Sequence, residues 1–160
     1  METENTYQLN EFDKKYIQEY RDRRKMFDLY LAANNIDLNT CPGCGYPSID
    51  ERGNYEICAI CNWEDDGQDD KHENENWGGP NKISLTKNRV NIGKTLEKYS
   101  TSLGGELNSN PEEIMSVLKS HSIRMERIAS SIPMDADTSH QSWKDWQNAE
   151  NELLKELIKI

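Results

Sequence analysis

The sequence predicts a mostly helical α+β protein in which a short β-hairpin, flanked on each side by a pair of cysteines, is embedded between helices. Three observations indicate this fold class. Apolar residues recur at helical spacing in several segments, two Cys-x-x-Cys pairs lie between Cys41 and Cys61, and Gly- and Asn-containing breaks separate the segments. The chain divides into an N-terminal helical segment (1–40), a cysteine-rich module with an acidic loop (41–91) and a C-terminal helical region (92–160).

The first helix is predicted over residues 11–34. Its aromatic and aliphatic residues are four, four, seven and four positions apart, and Lys and Arg fill the opposite face. We interpret this stripe as a packing face rather than a ligand-binding face. Its members are Phe12, Tyr16, Tyr20, Phe27 and Leu31.

The two Cys-x-x-Cys pairs predict a tetrahedral metal site. Cys41 and Cys44 are separated by 13 residues from Cys58 and Cys61. Four thiolates satisfy the tetrahedral preference of zinc and leave no open coordination position. In a reducing compartment such pairs are expected to bind metal rather than to form disulfides. The hypothesis is therefore a structural Zn²⁺ held by these four residues.

The residues between the cysteines predict the backbone around the metal. Gly43 and Gly45 permit a tight knuckle turn after the first cysteine. Gly53 and the asparagine that follows it suit the turn of a β-hairpin between Tyr46 and Ile57. Together with the cysteine pairs, this arrangement predicts a zinc-ribbon-like hairpin.

Three other uses of the cysteines stay open as alternatives. Iron in the same four-thiolate geometry would make a rubredoxin-like electron carrier, and another metal-dependent redox or enzymatic role is possible on the same ligands. A transcription-associated zinc ribbon is the third. Against it, Arg52 is the only basic residue between Tyr46 and Ile57, so phosphate contacts are not favoured.

An acidic loop follows the cysteines. From Asn62 to Glu75 the chain has seven acidic residues against Lys71. The spacing does not fit a calcium-binding EF-hand, so solvated or helix-capping carboxylates are the alternative to a binding surface. Two tryptophans flank the loop and suit an aromatic anchor at an interface. The candidate partner-binding residues are Trp63, Glu64, Asp65, Asp66, Asp69, Asp70 and Trp77.

The remaining helices are predicted from their caps and periodicity. Ser84 is the expected cap of a helix that begins near Leu85. Asn110 followed by Pro111 is a strong helix start, and the run ends before Pro133. A final helix is expected over roughly 141–160, with Trp143, Trp146, Leu153, Leu157 and Ile160 on one side.

No catalytic motif is evident in the sequence. The chain has no Gly-x-Ser-x-Gly, no P-loop and no His-Glu-x-x-His motif. Its histidines, His72, His121 and His140, are far apart and belong to no triad signature. His121 lies on the apolar stripe of its helix, where we expect a hydrogen-bonded core or edge histidine. The protein is therefore predicted not to be an enzyme.

The composition limits the classes of partner. Apolar residues make up 34% and charged residues 30% of the 160 residues, so the core is small and a metal cross-link would help to stabilise it. The formal net charge is −10, which repels phosphate backbones and anionic lipid and favours basic proteins. No stretch approaches a membrane span, and the first residues do not resemble a signal peptide. We expect a cytoplasmic protein without nucleic-acid or membrane partners.

The cysteine segment resembles a known family. The blocks CPGCGY, EICAICNWEDD and GGPNKISLTKNR, in this order, are similar to the bacterial cysteine-rich CPCC family over about Cys41–Asn91. The resemblance implies that the metal ligands fall on the four cysteines. The chain departs from the family pattern at Gly43, where the family has a third cysteine, and at Asn88, where it has alanine. The missing thiol is therefore not expected to be an obligatory ligand.

These observations predict a zinc-stabilised acidic protein that binds a basic protein partner. The sharpest version is a bacterial immunity-type protein that neutralises a cognate toxin. A nuclease is a plausible toxin, because its phosphate-binding cleft is basic.

Overall fold

The computed structural model describes residues 2–3, 8–135 and 141–159 of the chain. It divides into two compact units, Met1–Glu97 and Lys98–Ile160. The described residues are mostly helical, as predicted, and none of their helices combines the length and apolar character of a membrane span. The helices are α1 (Glu11–Ala33), α2 (Leu85–Leu103), α3 (Pro111–Ser131) and α4 (Gln141–Glu156), with a short 3₁₀ helix at Asp70–His72. The strands are β1 (Glu2–Thr3), β2 (Glu75–Asn76), β3 (Glu106–Leu107) and β4 (Ile158–Lys159).

Helix α1 begins with a capping box. The backbone N–H of Asp13 donates to the Asn10 side chain at 2.9 Å, and the Asp13 carboxylate accepts from the Asn10 N–H at 3.3 Å. Four of the five residues predicted to form the packing stripe are buried, namely Tyr16, Tyr20, Phe27 and Leu31. The fifth, Phe12, is exposed. It lies in the first turn, and helical spacing fixes the direction of a side chain but not how far along the helix the covering residues extend.

Helices α1 and α2 approach closely within the first unit. A Cβ atom at Gly93 would lie 2.6 Å from the Cβ atom of Tyr16, so only glycine allows this contact. The Ser84 hydroxyl accepts from the Lys87 N–H at 3.1 Å, which confirms the predicted cap of α2. Behind this cap Leu85 and Leu96 are buried. Helix α2 ends in the second unit.

The second unit contains α3 and α4, which pack against each other. Asn110 caps α3 by accepting from the Glu113 N–H at 3.1 Å. Helix α4 ends at Glu156, because the chain then extends into β4, which pairs with β3 in antiparallel register. Leu153 and Leu157 are buried as predicted, whereas Trp143, in the first turn of α4, is exposed. The predicted contribution of Ile160 lies outside the described residues.

The predicted hairpin between Tyr46 and Ile57 is not confirmed. The segments that flank each Cys-x-x-Cys pair bond to each other instead. Asn39 and Ile49 form one antiparallel bridge around the first pair, and Ile57 and Glu64 form another around the second. The turn residues in the sequence were correct locally, since Gly53 has a φ of +74°. The strand pairing, however, is local to each cysteine pair, because the residues before each pair bond to the residues after the same pair.

Candidate metal centre

The four cysteine sulfurs converge on one point. Their Sγ atoms all lie within 4.8 Å of one another, with Cys41 and Cys61 at 3.7 Å and Cys44 and Cys58 also at 3.7 Å. Three of the four residues are buried and Cys61 is half-buried. The structure thus brings together all four of the predicted metal ligands. They form the only candidate cluster of three or more metal-ligating side chains among the residues described.

The two cysteine pairs adopt the same backbone arrangement, which we call the first knuckle (residues 40–46) and the second knuckle (57–63). In each, the N–H of the leading cysteine donates to the carbonyl five residues on, at 2.8 Å to Tyr46 and 2.9 Å to Trp63. The carbonyl of the leading cysteine in turn accepts from the residue four positions on, at 2.8 and 3.0 Å. The knuckles are therefore two copies of one local fold.

Backbone N–H groups point at the sulfurs in both knuckles. The Gly43 N–H donates to the Cys41 Sγ at 3.3 Å, and the Ile60 N–H donates to the Cys58 Sγ at the same distance. The Ser48 hydroxyl lies 2.9 Å from the Cys58 Sγ. Such donors stabilise thiolate over thiol, because they place positive partial charge against the sulfur.

Burial and hydrogen bonding shift the pKa values of these thiols in opposite directions. It raises the pKa of the Cys41 and Cys44 thiols well above the usual value. Burial acts in the same direction on Cys58, but hydrogen bonds from the other three thiols and from Ser48 outweigh it and hold its pKa well below the usual value. A bound divalent cation would displace the remaining thiol protons, since only thiolates are ligands.

The arrangement fits a tetrahedral metal ion. With metal–sulfur bonds of about 2.3 Å, a regular tetrahedron places its sulfurs about 3.8 Å apart. The two closest sulfur pairs, both at 3.7 Å, agree with that spacing. Four thiolates select zinc or iron rather than magnesium or calcium, which prefer oxygen. The donor set and its spacing therefore support metal binding, consistent with zinc.

Two glycines of the first knuckle are required for different reasons. Gly45 has a φ of +82°, in the left-handed region that glycine adopts most readily. Gly43 lies in the turn as predicted but does not have a positive φ, so its backbone conformation alone does not require glycine. A Cβ atom there would lie 2.6 Å from the Asn88 Nδ2 and 3.0 Å from the Cys61 Sγ. Gly43 is required by close approach.

Side chains from two helices bind the carbonyls of the first knuckle. The Arg89 Nε donates to the Pro42 carbonyl at 2.9 Å, and the Asn88 Nδ2 donates to the Gly43 carbonyl at 3.1 Å. From α1, the Arg23 Nε donates to the Cys44 carbonyl at 2.8 Å. Three successive carbonyls are thereby satisfied. The knuckle fixes the position of α1 and of the start of α2.

Much of the predicted partner-binding loop faces inward. Trp63 is buried and packs beside Gly43. Asp65 is 0% exposed, and its carboxylate accepts from the Arg52 Nε at 2.7 Å and from the Gly53 N–H at 2.8 Å. These two residues are therefore not available to a partner in this conformation.

Four arginines from outside the loop form ion pairs with its carboxylates. Arg24 and Arg52 both bind Asp69, at 2.6 and 2.7 Å. Burial opposes ionisation of Asp69, but the hydrogen bonds from these two guanidinium groups prevail and hold its pKa well below the usual range. The remaining pairs join Arg89 to Asp70 and Glu73, Arg21 to Glu73, Arg24 to Asp70, and Arg52 to Asp65.

The arginine network was missed by sequence reasoning. Three of the four arginines lie on helices, where basic residues are usually solvated, and the partners in the network are 13 to 52 positions apart in sequence. One signal was present in the sequence, because Leu85, Arg89, Ile92 and Leu96 follow helical spacing, which places Arg89 on the apolar face of α2. Its side chain is fully buried and its guanidinium lies over the Tyr20 ring, 4.0 Å from the centroid.

The other predicted loop residues are partly accessible. Glu64 and Asp66 are half-buried and make no ion pair with any described residue. The backbone of Glu64 is bound on both sides by the Asn81 amide, at 2.8 Å for each hydrogen bond. The Trp77 Nε1 donates to the Glu75 carboxylate at 2.9 Å, and its ring lies beside His72.

The described histidines do not form a catalytic group with the cysteines. His72 pairs with Glu75 at 2.9 Å. His121 is buried as predicted, but its Nε2 has no hydrogen-bond partner among the described residues, so the predicted hydrogen bond is not found. Burial lowers the pKa of His121. His140 lies outside the described residues.

Comparison with known proteins finds one family model that is similar to part of the chain. No curated protein and no solved structure matches the chain. Residues 39–96 match the model of the Cysteine-rich CPCC family, a segment that includes all four cysteines, the acidic loop and the first part of α2. The resemblance noted in the sequence is therefore confirmed. The similarity to this family covers residues 39–96, a little over a third of the chain.

Proposed function

We propose that the protein is a zinc-stabilised protein-binding protein in which one Zn²⁺, held by Cys41, Cys44, Cys58 and Cys61, has a structural role. The observation that carries the proposal is the convergence of four sulfurs at tetrahedral spacing. Four protein ligands complete the coordination of zinc, so substrate or water has no position at the metal. Chemistry at the ion is therefore not favoured.

The contacts of the first knuckle support a structural role. Its carbonyls accept from side chains of α1 and α2, so a metal that fixes the knuckle also fixes the two helices. The two knuckles face one metal as in a zinc ribbon, and we propose that relationship although their strands are limited to single bridges. In a unit with a small apolar core, such a cross-link replaces missing hydrophobic stabilisation.

We propose that the partner is a basic protein and that the protein is not an enzyme. The net charge of −10 supports the choice, because it accelerates encounter with positively charged surfaces. The sharpest form of the proposal is a bacterial, cytoplasmic immunity protein that binds a cognate toxin. A nuclease fits this form best, since an acidic protein can occupy a cleft that normally holds phosphate.

Metal analysis tests the structural half of the proposal. We expect one zinc per chain after purification, and one Co²⁺ per chain after substitution, with the visible spectrum of tetrahedral thiolate coordination. A red protein with stoichiometric iron would contradict the zinc assignment and would indicate a rubredoxin-like redox function instead. Salt-dependent binding to DNA or RNA would favour the transcription-associated zinc ribbon instead.

Co-purification from the native host tests the binding half. A tagged, zinc-loaded chain is expected to retain a basic protein at low salt and to release it as ionic strength rises. If the retained protein is a nuclease, adding the purified chain should inhibit its activity. A toxin-domain protein encoded by a neighbouring reading frame would support the same conclusion. Recovery of no protein partner at any salt concentration would contradict the proposal.

A further inference from the structure

The two knuckles have the same backbone but different surroundings. Thr40, which precedes the first cysteine pair, is 3% exposed, and its hydroxyl donates to Asp28 of α1 at 2.6 Å. Ile57 occupies the corresponding position before the second pair and is 60% exposed. An isoleucine at that position gains the free energy of apolar burial only if another surface covers it.

The knuckle carbonyls differ in the same way. Those of residues 42–44 each accept a hydrogen bond from a helix side chain. The corresponding carbonyls of Ala59, Ile60 and Cys61 accept none from any residue that the structure describes. The second knuckle therefore presents three successive carbonyl acceptors without donors among the described residues, whereas the equivalent carbonyls of the first knuckle accept from arginine and asparagine side chains.

The short strand before the second cysteine pair also has an open edge. Ile57 pairs with Glu64 as the non-hydrogen-bonded position of an antiparallel bridge, because the neighbouring bonds run from Cys58 to Trp63 and from Asp65 to Glu56. On the Glu64 side, the Asn81 amide satisfies the outward N–H and C=O groups. On the other side, the N–H and C=O of Ile57 have no partner in the described part of the chain.

The charges around this edge are unpaired, unlike those of the loop behind it. Tyr55 is 61% exposed and lies two residues before Ile57, where its backbone is in the left-handed region at a φ of +58°. Glu51 and Glu56 lie close to these residues in sequence, Glu64 lies opposite Ile57 in the bridge, and none of the three forms an ion pair with a described residue. The Glu56 carboxylate accepts from the Asp50 N–H at 2.8 Å. Carboxylates and unsatisfied carbonyls beside exposed apolar side chains complement a surface with guanidinium donors and an apolar residue.

We propose that this region, the second-knuckle face (Tyr55, Glu56, Ile57, Glu64 and the carbonyls of residues 59–61), binds an arginine-bearing segment of the basic protein partner. The segment covers Ile57 with an apolar side chain and donates guanidinium hydrogen bonds to the knuckle carbonyls, as α1 and α2 do for the first knuckle. The inference rests on the proposed protein-binding function and specifies where that binding occurs. It replaces the inward-facing part of the acidic loop as the interaction surface.

A peptide titration of the whole zinc-loaded chain tests the proposal. The probe is the capped peptide Arg-Val-Arg-Val-Arg, and the matched control is Glu-Val-Glu-Val-Glu. In ¹⁵N-labelled protein, the basic peptide is expected to shift the amide signals of Ile57 and of residues 59–62, with smaller effects on residues 42–45. The acidic peptide is expected to shift neither group.

Two matched variants separate this surface from general electrostatics. Ile57→Lys removes the apolar contact and makes the net charge less negative by one, and Ile123→Lys does the same at an exposed site of α3. Burial of an isoleucine is worth enough that Ile57→Lys should weaken peptide binding about tenfold or more. Ile123→Lys should leave it within about twofold, because it changes the net charge equally but removes no contact of the proposed face, and a single exposed charge contributes little to affinity in salt.

Each other outcome overturns the inference in a recognisable way. If both variants bind like the wild type, or shifts occur only away from the second knuckle, the surface is wrong while a protein-binding function stands. If both variants weaken binding equally, the peptide responds only to the net charge, and the proposed second-knuckle face is again contradicted. If the basic peptide causes no shift and the native host yields no partner, the surface and the proposed function fail together.

Discussion

The two knuckles show that identical local structure can serve different purposes. Both form the same hydrogen bonds around a leading cysteine, and both aim an N–H at its sulfur at 3.3 Å. The first is covered by α1 and α2, which bind its carbonyls. The second presents Ile57 and its carbonyls to solvent. The metal ligands therefore fix the knuckle, whereas residues distant in sequence decide whether it is core or surface.

Loss of one sulfur should have the largest effect and should abolish both knuckles together. In Cys41→Ser or Cys61→Ser we expect loss of stoichiometric zinc and unfolding of the first unit, because one tetrahedral ion joins the two copies. Structural zinc sites in peptides contribute roughly 10 kcal/mol or more, comparable with the whole stability of a domain. Metal content, far-UV circular dichroism and amide hydrogen exchange would measure the loss.

Chelation of the wild type gives the matching test without a mutation. Hydrogen-exchange protection should disappear from residues 39–64 and from α1 as zinc is removed. If the far-UV spectrum and the melting temperature were unchanged after complete removal, zinc would not hold the fold together. If only Cys41→Ser unfolded the unit, the two knuckles would not depend on one another.

The carboxylates behind the second knuckle provide the next largest contrast. Asp65 is buried against Arg52, whereas its neighbour Asp66 is half-buried and makes no ion pair with a described residue. Asp65→Asn should cost about 3 kcal/mol, at the low end for a broken buried ion pair because Arg52 is partly exposed. Asp66→Asn should cost less than about 0.5 kcal/mol. Urea unfolding of both zinc-loaded variants measures the difference, and equal costs would contradict the inward placement of Asp65.

The sequence predicted what depends on neighbouring residues. The cysteine spacing placed four sulfurs at one centre, and the caps at Ser84 and Asn110 placed the starts of α2 and α3. These features need only local geometry. The predicted hairpin was not confirmed because turn residues identify a turn, not the strands that pair on either side of it.

The environment of the acidic loop could not be predicted in the same way. Seven carboxylates in fourteen residues indicate a solvated surface when only the local charge is counted. Their partners Arg24 and Arg89 lie on separate helices, and only the assembled unit brings them to Asp69 and Asp70. A run of like charges in a sequence therefore indicates an exposed charged surface only where its members do not form ion pairs with residues distant in sequence.

Gly45 and Asn62, which have left-handed backbones at equivalent positions of the two knuckles, show that α1 packs closely against the first knuckle. Gly45 and Asn62 occupy the same position, with φ values of +82° and +62°. A Cβ atom at Gly45 would lie 3.1 Å from the Tyr20 carbonyl oxygen and 3.2 Å from the Arg24 nitrogen, both backbone atoms of α1.

Gly45→Ala should therefore cost about 1–2 kcal/mol for the left-handed conformation and about 1 kcal/mol more for displacing α1. Asn62→Ala should cost about 1 kcal/mol, because Asn tolerates this region better than Ala and nothing comparable to α1 is displaced. Chemical denaturation of the zinc-loaded variants measures both. A cost for Asn62→Ala equal to that of Gly45→Ala would mean that α1 does not constrain the first knuckle.

The smallest predicted effect concerns the coupling between Gly43 and Asn88, the two positions at which the chain departs from the CPCC pattern. They are in contact, since the Asn88 Nδ2 donates to the Gly43 carbonyl and lies 2.6 Å from where a Cβ atom at Gly43 would be. Gly43→Ala should cost about 2 kcal/mol through overpacking, and Asn88→Ala about 1 kcal/mol through the lost hydrogen bond. The double variant should cost about 1 kcal/mol less than the sum, because removing the amide makes room for the methyl group.

A cysteine at position 43, the third thiol in the first knuckle and the fifth in the chain, tests whether the metal site accepts an additional ligand. Gly43→Cys combined with Asn88→Ala introduces the cysteine and the alanine that the resemblance implies at these positions, and we expect the variant to fold and to bind one zinc, as the wild type is expected to. The reason is that the four existing sulfurs already complete a tetrahedron, and a fifth cannot join without displacing one of them. Additive costs in the double-mutant cycle would show that the two departures are independent. A second metal equivalent would show that the third thiol is a ligand, so that the first knuckle, and not only its covering helices, differs from the second.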